Sequence, residues 1–124
     1  MNLSNTEAEQ RKICDSFGAD FLGYPPASLI GASPNIKTGE EPINGLRYFP
    51  EGNTNGWYIY AGETLPPDKE FFKPIHFEHL TNWYTPAIKY LGLPPGWRFL
   101  ITASGYEDVW FDPTLLQSQG RDIF

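Results

Sequence analysis

Trp97-Arg98-Phe99-Leu100-Ile101-Thr102 leads into a turn at Ser104-Gly105, and Glu107-Asp108-Val109-Trp110-Phe111-Asp112 leads back. The outgoing leg places Trp97, Phe99 and Ile101 on one side, the period-two pattern of a half-buried strand. The returning leg sets Val109 and Phe111 on one face and Asp108, Trp110 and Asp112 on the other. Two such legs around a short glycine turn predict an antiparallel hairpin, and with it a β-rich core.

A second hairpin is predicted upstream. Ile43 to Phe49 reads as a strand whose alternation is broken around Gly45. Pro50-Glu51-Gly52-Asn53-Thr54-Asn55-Gly56 is a strong turn cluster. Trp57-Tyr58-Ile59-Tyr60-Ala61 returns with Trp57, Ile59 and Ala61 on one face and both tyrosines on the other. Most aromatic residues lie at or after Trp57, so the core is expected there.

Two helices complete the expectation. Ser4 and Glu7 match a capping box, Ala8, Ile13, Cys14 and Phe17 supply an apolar stripe, and Gly18 suits a left-handed end. A central helix is expected over roughly His76 to Leu91. Thr85 is its N-cap and Pro86 its first helical residue, and Gly92 with Pro94-Pro95 stops it; the assignment of 79–82 to this helix or to a turn stays open. Residues 23–42 read as loop with one brief strand near Ser28-Leu29-Ile30, Pro66-Pro67 breaks the chain, and the polar tail from Gln117 frays. The predicted class is α+β: a small, mainly antiparallel sheet built from hairpins, packed with an N-terminal and a central helix. With 124 residues and no linker or repeat, one domain is expected.

Fifteen acidic residues face nine scattered basic ones, for a formal charge of −6. Phosphate recognition needs clustered cations, so nucleic-acid binding is excluded. An acidic surface steers a basic partner, and it also serves plain solubility. Cys14 is the only cysteine, so no intrachain disulfide forms. No apolar run approaches a membrane span, and the first ten residues lack a secretory apolar stretch. A cytoplasmic protein with no membrane contact is expected.

Candidate chemistry is sparse. His76 and His79, with Glu78 between them, could hold a metal from one helix face, although the zincin pattern needs a different spacing. Cys14 reads as a buried structural thiol. Nucleophile elbows, phosphate loops and dinucleotide fingerprints are absent from the sequence. Carboxylates pair at Glu40/Glu41 and Glu107/Asp108. Asp108 and Asp112 flank Trp110, with Tyr106 at the turn. That row reads as a solvated outer face, or as an interface in which aromatics anchor and acids steer; for Trp110 the alternative is packing beneath the helices.

Four stretches resemble a family of bacterial immunity proteins, catalogued as a domain of unknown function and found beside polymorphic toxins. They are Ile43-Asn44-Gly45-Leu46-Arg47, Gly56-Trp57-Tyr58-Ile59 with Gly62-Glu63, Leu91 to Ile101 around Leu93-Pro94-Pro95-Gly96-Trp97-Arg98-Phe99-Leu100, and Tyr106 to Asp112. The likeness spans about residues 43–116 and leaves the first forty outside. It implies a small α+β protein that binds and blocks a cognate toxin, without cofactor or turnover, as a monomer or weak homodimer. Arg47 and Glu63 flank the first hairpin, where they pair with each other or meet a partner. The partner-binding set is Tyr106, Glu107, Asp108, Trp110, Asp112 and Glu63. The competing expectations are a small metal-dependent hydrolase on His76 and His79, and an interaction module unrelated to toxins.

Overall fold

The structure is a computed structural model that describes residues 3–25, 27–64 and 72–118. The Pro66-Pro67 break and the end of the polar tail lie outside these residues. Helix α1 (Leu3–Phe17) ends as its glycine requires: Gly18 adopts φ +72° and the Ala19 N–H bonds the Cys14 carbonyl at 2.9 Å. Its start differs from the capping-box reading. Ser4 lies within the helix, and the Glu7 carboxylate pairs with Arg11 one turn on, at 2.8 Å. The buried face is Thr6, Gln10 and Cys14, at i, i+4 spacing, while Ala8 is exposed. A glutamine can line this face because its Nε2 amide donates to the Ile88 carbonyl at 3.0 Å.

Six strands follow: β1 (Leu29–Ala32), β2 (Ile43–Arg47), β3 (Thr54–Ala61), β4 (Lys73–His76), β5 (Trp97–Ile101) and β6 (Glu107–Phe111), in the order β4-β1-β3-β2-β5-β6. Only β1 and β3 run parallel; the other neighbours are antiparallel. The fold is therefore α+β on a mixed, mostly antiparallel sheet. Both hairpins form, with Arg47 opposite Trp57 and Trp97 opposite Phe111, and β3 begins at Thr54, within the segment expected to be turn.

The alternation in β3 buries both faces. Trp57, Ile59 and Ala61 join Phe99, Ile101, Leu80 and Leu91 in the larger core, beneath α1 and the helical segments before β5. Tyr58 and Tyr60 join Leu46, Tyr48, Phe72 and Leu115 in a second one, Leu115 coming from α3 (Thr114–Ser118). Gly45 does not break β2. It lies opposite Phe99, whose ring covers it so closely that a Cβ there would meet Cε2 at 2.0 Å.

The central helix divides. His76 ends β4, α2 covers only Phe77–Trp83, and Tyr84 is extended at φ −161° and ψ 89°. A 3-10 helix, Thr85–Tyr90, then begins with Pro86 in its first turn. Proline lacks the N–H that would bond the Asn82 carbonyl, so an α-helix cannot run through it. Thr85 does not cap; its hydroxyl donates back to the Thr81 carbonyl at 2.7 Å. His76 and His79 consequently share no helix face.

Arg47 corrects a further expectation. Its side chain is buried, 1% exposed, and does not pair with Glu63. The guanidinium donates from Nε to the Asn55 carbonyl (3.0 Å), from Nη1 to those of Leu22 and Leu93 (2.8 Å each), and from Nη2 to that of Gly23 (3.2 Å). Burial draws its pKa down to about 10, which leaves it charged at neutral pH. Four carbonyl dipoles, from two loops and the start of β3, thus neutralise one buried cation. Removing it strands those acceptors in a dry interior, a loss of about 3 kcal/mol or more. Arg47→Met is expected to lower the urea midpoint accordingly. Arg47→Lys is expected to rescue less than half, since an ammonium has only three donors and no planar fork. Near-complete rescue by lysine contradicts this account.

Candidate functional site

The register of the sheet builds a row. Ala61 lies opposite Ile43, Ile43 opposite Ile101, and Ile101 opposite Glu107. Four strands at the usual spacing make this edge about 14 Å wide. The connections beyond it carry acids. Glu40-Glu41 precede β2, Gly62-Glu63 follow β3, and Glu107-Asp108 open β6.

Local hydrogen bonds fix these connections. The Gly62 N–H bonds the Pro42 carbonyl at 2.8 Å, and Asn44 Nδ2 donates to the Gly62 carbonyl at 2.8 Å. Asn35 reaches over from the Pro34–Lys37 turn, donating to the Ala61 carbonyl at 2.9 Å and to Glu40 Oε1 at 3.4 Å. Glu40 lies against Gly62, where a Cβ would meet Oε2 at 2.8 Å. Glu41 Oε2 accepts the Ala103 N–H at 2.6 Å, which ties it to the β5–β6 turn. The Tyr90 hydroxyl donates to the Glu107 carboxylate. Five carboxylates, Glu40, Glu41, Glu63, Glu107 and Asp108, therefore gather at one end of the sheet. Tyr106 stands at their edge, 56% exposed.

The expected partner-binding residues do not share one face. Glu107 lies on the side of Val109 and Phe111, toward the larger core. Asp108 and Trp110 lie on the tyrosine side, and both Glu63 and Asp108 are exposed. Trp110 is half-buried and covers the Arg98 guanidinium, which lies 5.3 Å from its ring centre. Asp112 is occupied. It pairs with Arg98 at 3.1 Å and accepts the Thr114 N–H and hydroxyl at 3.1 and 2.6 Å, holding the start of α3. The Thr114 bond is the main cause of its lowered pKa.

Sequence reasoning missed Glu41, Tyr84 and Tyr90 as parts of this end. Glu41 was paired only with Glu40, because its contact with Ala103 spans 62 residues and leaves no local signal. The remaining candidates stay apart. The rings of His76 and His79 meet edge to face at 6.1 Å, and among the described residues no three His, Cys, Asp or Glu side chains are grouped to hold a metal. Cys14 is buried, and desolvation followed by the Asp15 charge pushes its thiol up, away from the reactive thiolate.

The model of the Imm33-like domain matches residues 9–112. The chain belongs to the Imm33-like domain family. That match takes in most of α1, all six strands and the acidic end, and its name is that of an immunity-protein family. The Imm33-like region thus begins some thirty residues before the motif resemblance at Ile43, so most of the N-terminal forty belong to it. No curated protein and no solved structure matches the chain. No described helix is long and apolar enough to cross a membrane.

The acidic end leaves an electrostatic signature on its neighbours. Tyr90 is held above its ordinary value of 10 by burial, then by the hydrogen bond and charge of Glu107. Tyr84 is raised by burial and by Glu41. Half-buried Tyr24 and buried Tyr58 and Tyr60 are raised as well by desolvation, Tyr24 to about 12. A folded value above the unfolded one gives stability that is whole below pH 10 and is lost as the pH rises above it. Arg47 opposes this in the same range, but as one group against five. Stability in urea is expected to fall above pH 10, and Glu107→Gln to move one tyrosine's near-ultraviolet titration downward. An unmoved titration contradicts the Tyr90–Glu107 coupling.

Proposed function

We propose that this Imm33-like chain neutralises a cognate bacterial toxin by binding it one to one, without turnover or cofactor, in the cytoplasm. The observation that carries the reading is the gathering of Glu41, Glu63, Glu107 and Asp108 beside exposed Tyr106 in a chain of an immunity-protein family. An acidic rim around an aromatic anchor is suited to a basic partner, because the gathered carboxylates repel one another and a cationic partner relieves that repulsion. The anchor stands on a hydrogen-bonded turn, so little side-chain and loop entropy is lost on docking. Arg98, Trp110 and Asp112 support that turn's strand rather than meet the toxin.

The test has two stages. The tagged chain, recovered from its native cells at low salt, should bring down one stoichiometric protein carrying a toxin domain. Cells that express this toxin should survive only when the chain is co-expressed. With the purified pair, Asp108→Asn together with Glu63→Gln should slow association about five- to tenfold at low salt and leave dissociation nearly unchanged. Tyr106→Ala should instead speed dissociation about tenfold. Survival without the chain contradicts the function, and unchanged kinetics in all variants contradict the surface.

A further inference from the structure

The two edges of the sheet are unlike. On one side β4 is short and carries Lys73 and Pro74, residues that discourage further strand pairing. The opposite edge, β6, holds five residues without proline, between exposed Tyr106 and Phe111.

The ladder determines which groups β6 presents. The Thr102 N–H bonds the Tyr106 carbonyl and the Asp112 N–H bonds the Gly96 carbonyl, at 3.2 and 2.6 Å. In an antiparallel pair the bonded positions alternate, so Asp108 and Trp110 also face β5. The N–H and C=O groups of Glu107, Val109 and Phe111 then point away from the sheet, and among the described residues no strand lies beyond them. What discourages self-pairing here is charge alone: Glu107 and Asp108 on the strand, in a chain of net charge −6. Acid side chains repel a second copy or an acidic strand, and favour a cationic one.

We infer that β6 is a docking edge onto which the toxin adds an extended, lysine- or arginine-bearing segment as a seventh strand. This rests on the toxin-binding reading and specifies its mode. Backbone groups of Glu107, Val109 and Phe111 bond the incoming strand, Glu107 and Asp108 meet its cations, and Phe111 offers an apolar contact at the far end.

The probe is a six-residue peptide alternating lysine with valine, added to the isotope-labelled full chain and followed by amide exchange. Exchange at Glu107, Val109 and Phe111 should slow, while Asp108 and Trp110, already bonded to β5, stay unchanged. Two N-methylated versions of the peptide, blocking alternate edges, should differ: one binds as the parent does, the other about tenfold or more weakly. Val109→Pro, which removes one outward N–H, should bind no better than the blocked peptide; if it does not fold, the methylated peptides carry the same test. Equal binding of both methylated peptides, equal binding of a glutamate-for-lysine peptide, or pairing of β6 with a second copy overturns the inference. If the peptide fails while the captured toxin is still neutralised, only the edge mode falls. If no toxin partner is found, the reading beneath it falls.

Discussion

The fold depends on one buried cation. Arg47 closes β2 with its guanidinium inside the protein, and the groups that neutralise it are carbonyls of Leu22, Gly23, Asn55 and Leu93. Leu22, Gly23 and Leu93 belong to connections without a strand partner of their own and Asn55 lies at the start of β3, so the guanidinium ties two loops to the sheet. Its influence extends further through the backbone. The Gly96 N–H bonds the Arg47 carbonyl at 2.7 Å, and the Asp112 N–H bonds the Gly96 carbonyl at 2.6 Å, which sets where the β5–β6 hairpin begins and ends. Trp57, opposite Arg47, lies 5.8 Å beneath the guanidinium and donates its indole N–H to the Leu91 carbonyl at 2.9 Å. The loop ahead of β5 is thereby held by both residues.

The two ends of β2 divide the labour. Arg47 lies at one, sealed from water, and Ile43 at the other, about 13 Å away, where the acidic connections emerge. A sheet buried on both faces is a stiff support, so carboxylates that repel one another remain gathered rather than dispersing. Their mutual repulsion costs stability, which the two cores offset. These carboxylates are exposed to solvent.

Much of this was legible in the sequence because it is local. Period-two alternation around glycine turns gives both hairpins, and Gly18 marks the end of α1. The first misreadings come from residues whose role is set across the sheet. Gly45 interrupts an apolar pattern on paper, yet the space it leaves is filled by Phe99 from a strand more than fifty residues on. Arg47 reads as a partner of Glu63 or of another protein until two distant loops and the start of β3 supply its carbonyls. The central helix fails for a local reason: Pro86 inside a helical pattern forbids continuation, and this outweighs the capping preference of Thr85. At the acidic end, Tyr106, Glu107 and Asp108 are expected from composition and spacing, and Glu63 from the motif resemblance. That Asp112 is taken up by Arg98 and Thr114, and that Glu41 reaches Ala103, follow from contacts no single segment encodes.

The central claim is that the acidic end and the β6 edge form the toxin-binding surface. Hydrogen–deuterium exchange of the chain alone and in its toxin complex tests this most directly. The account predicts new protection in 102–111 and in the segments around Glu41 and Glu63, with little change in α1, β4 and α2. Protection concentrated on β4 and α2, with 102–111 unaffected, would contradict it.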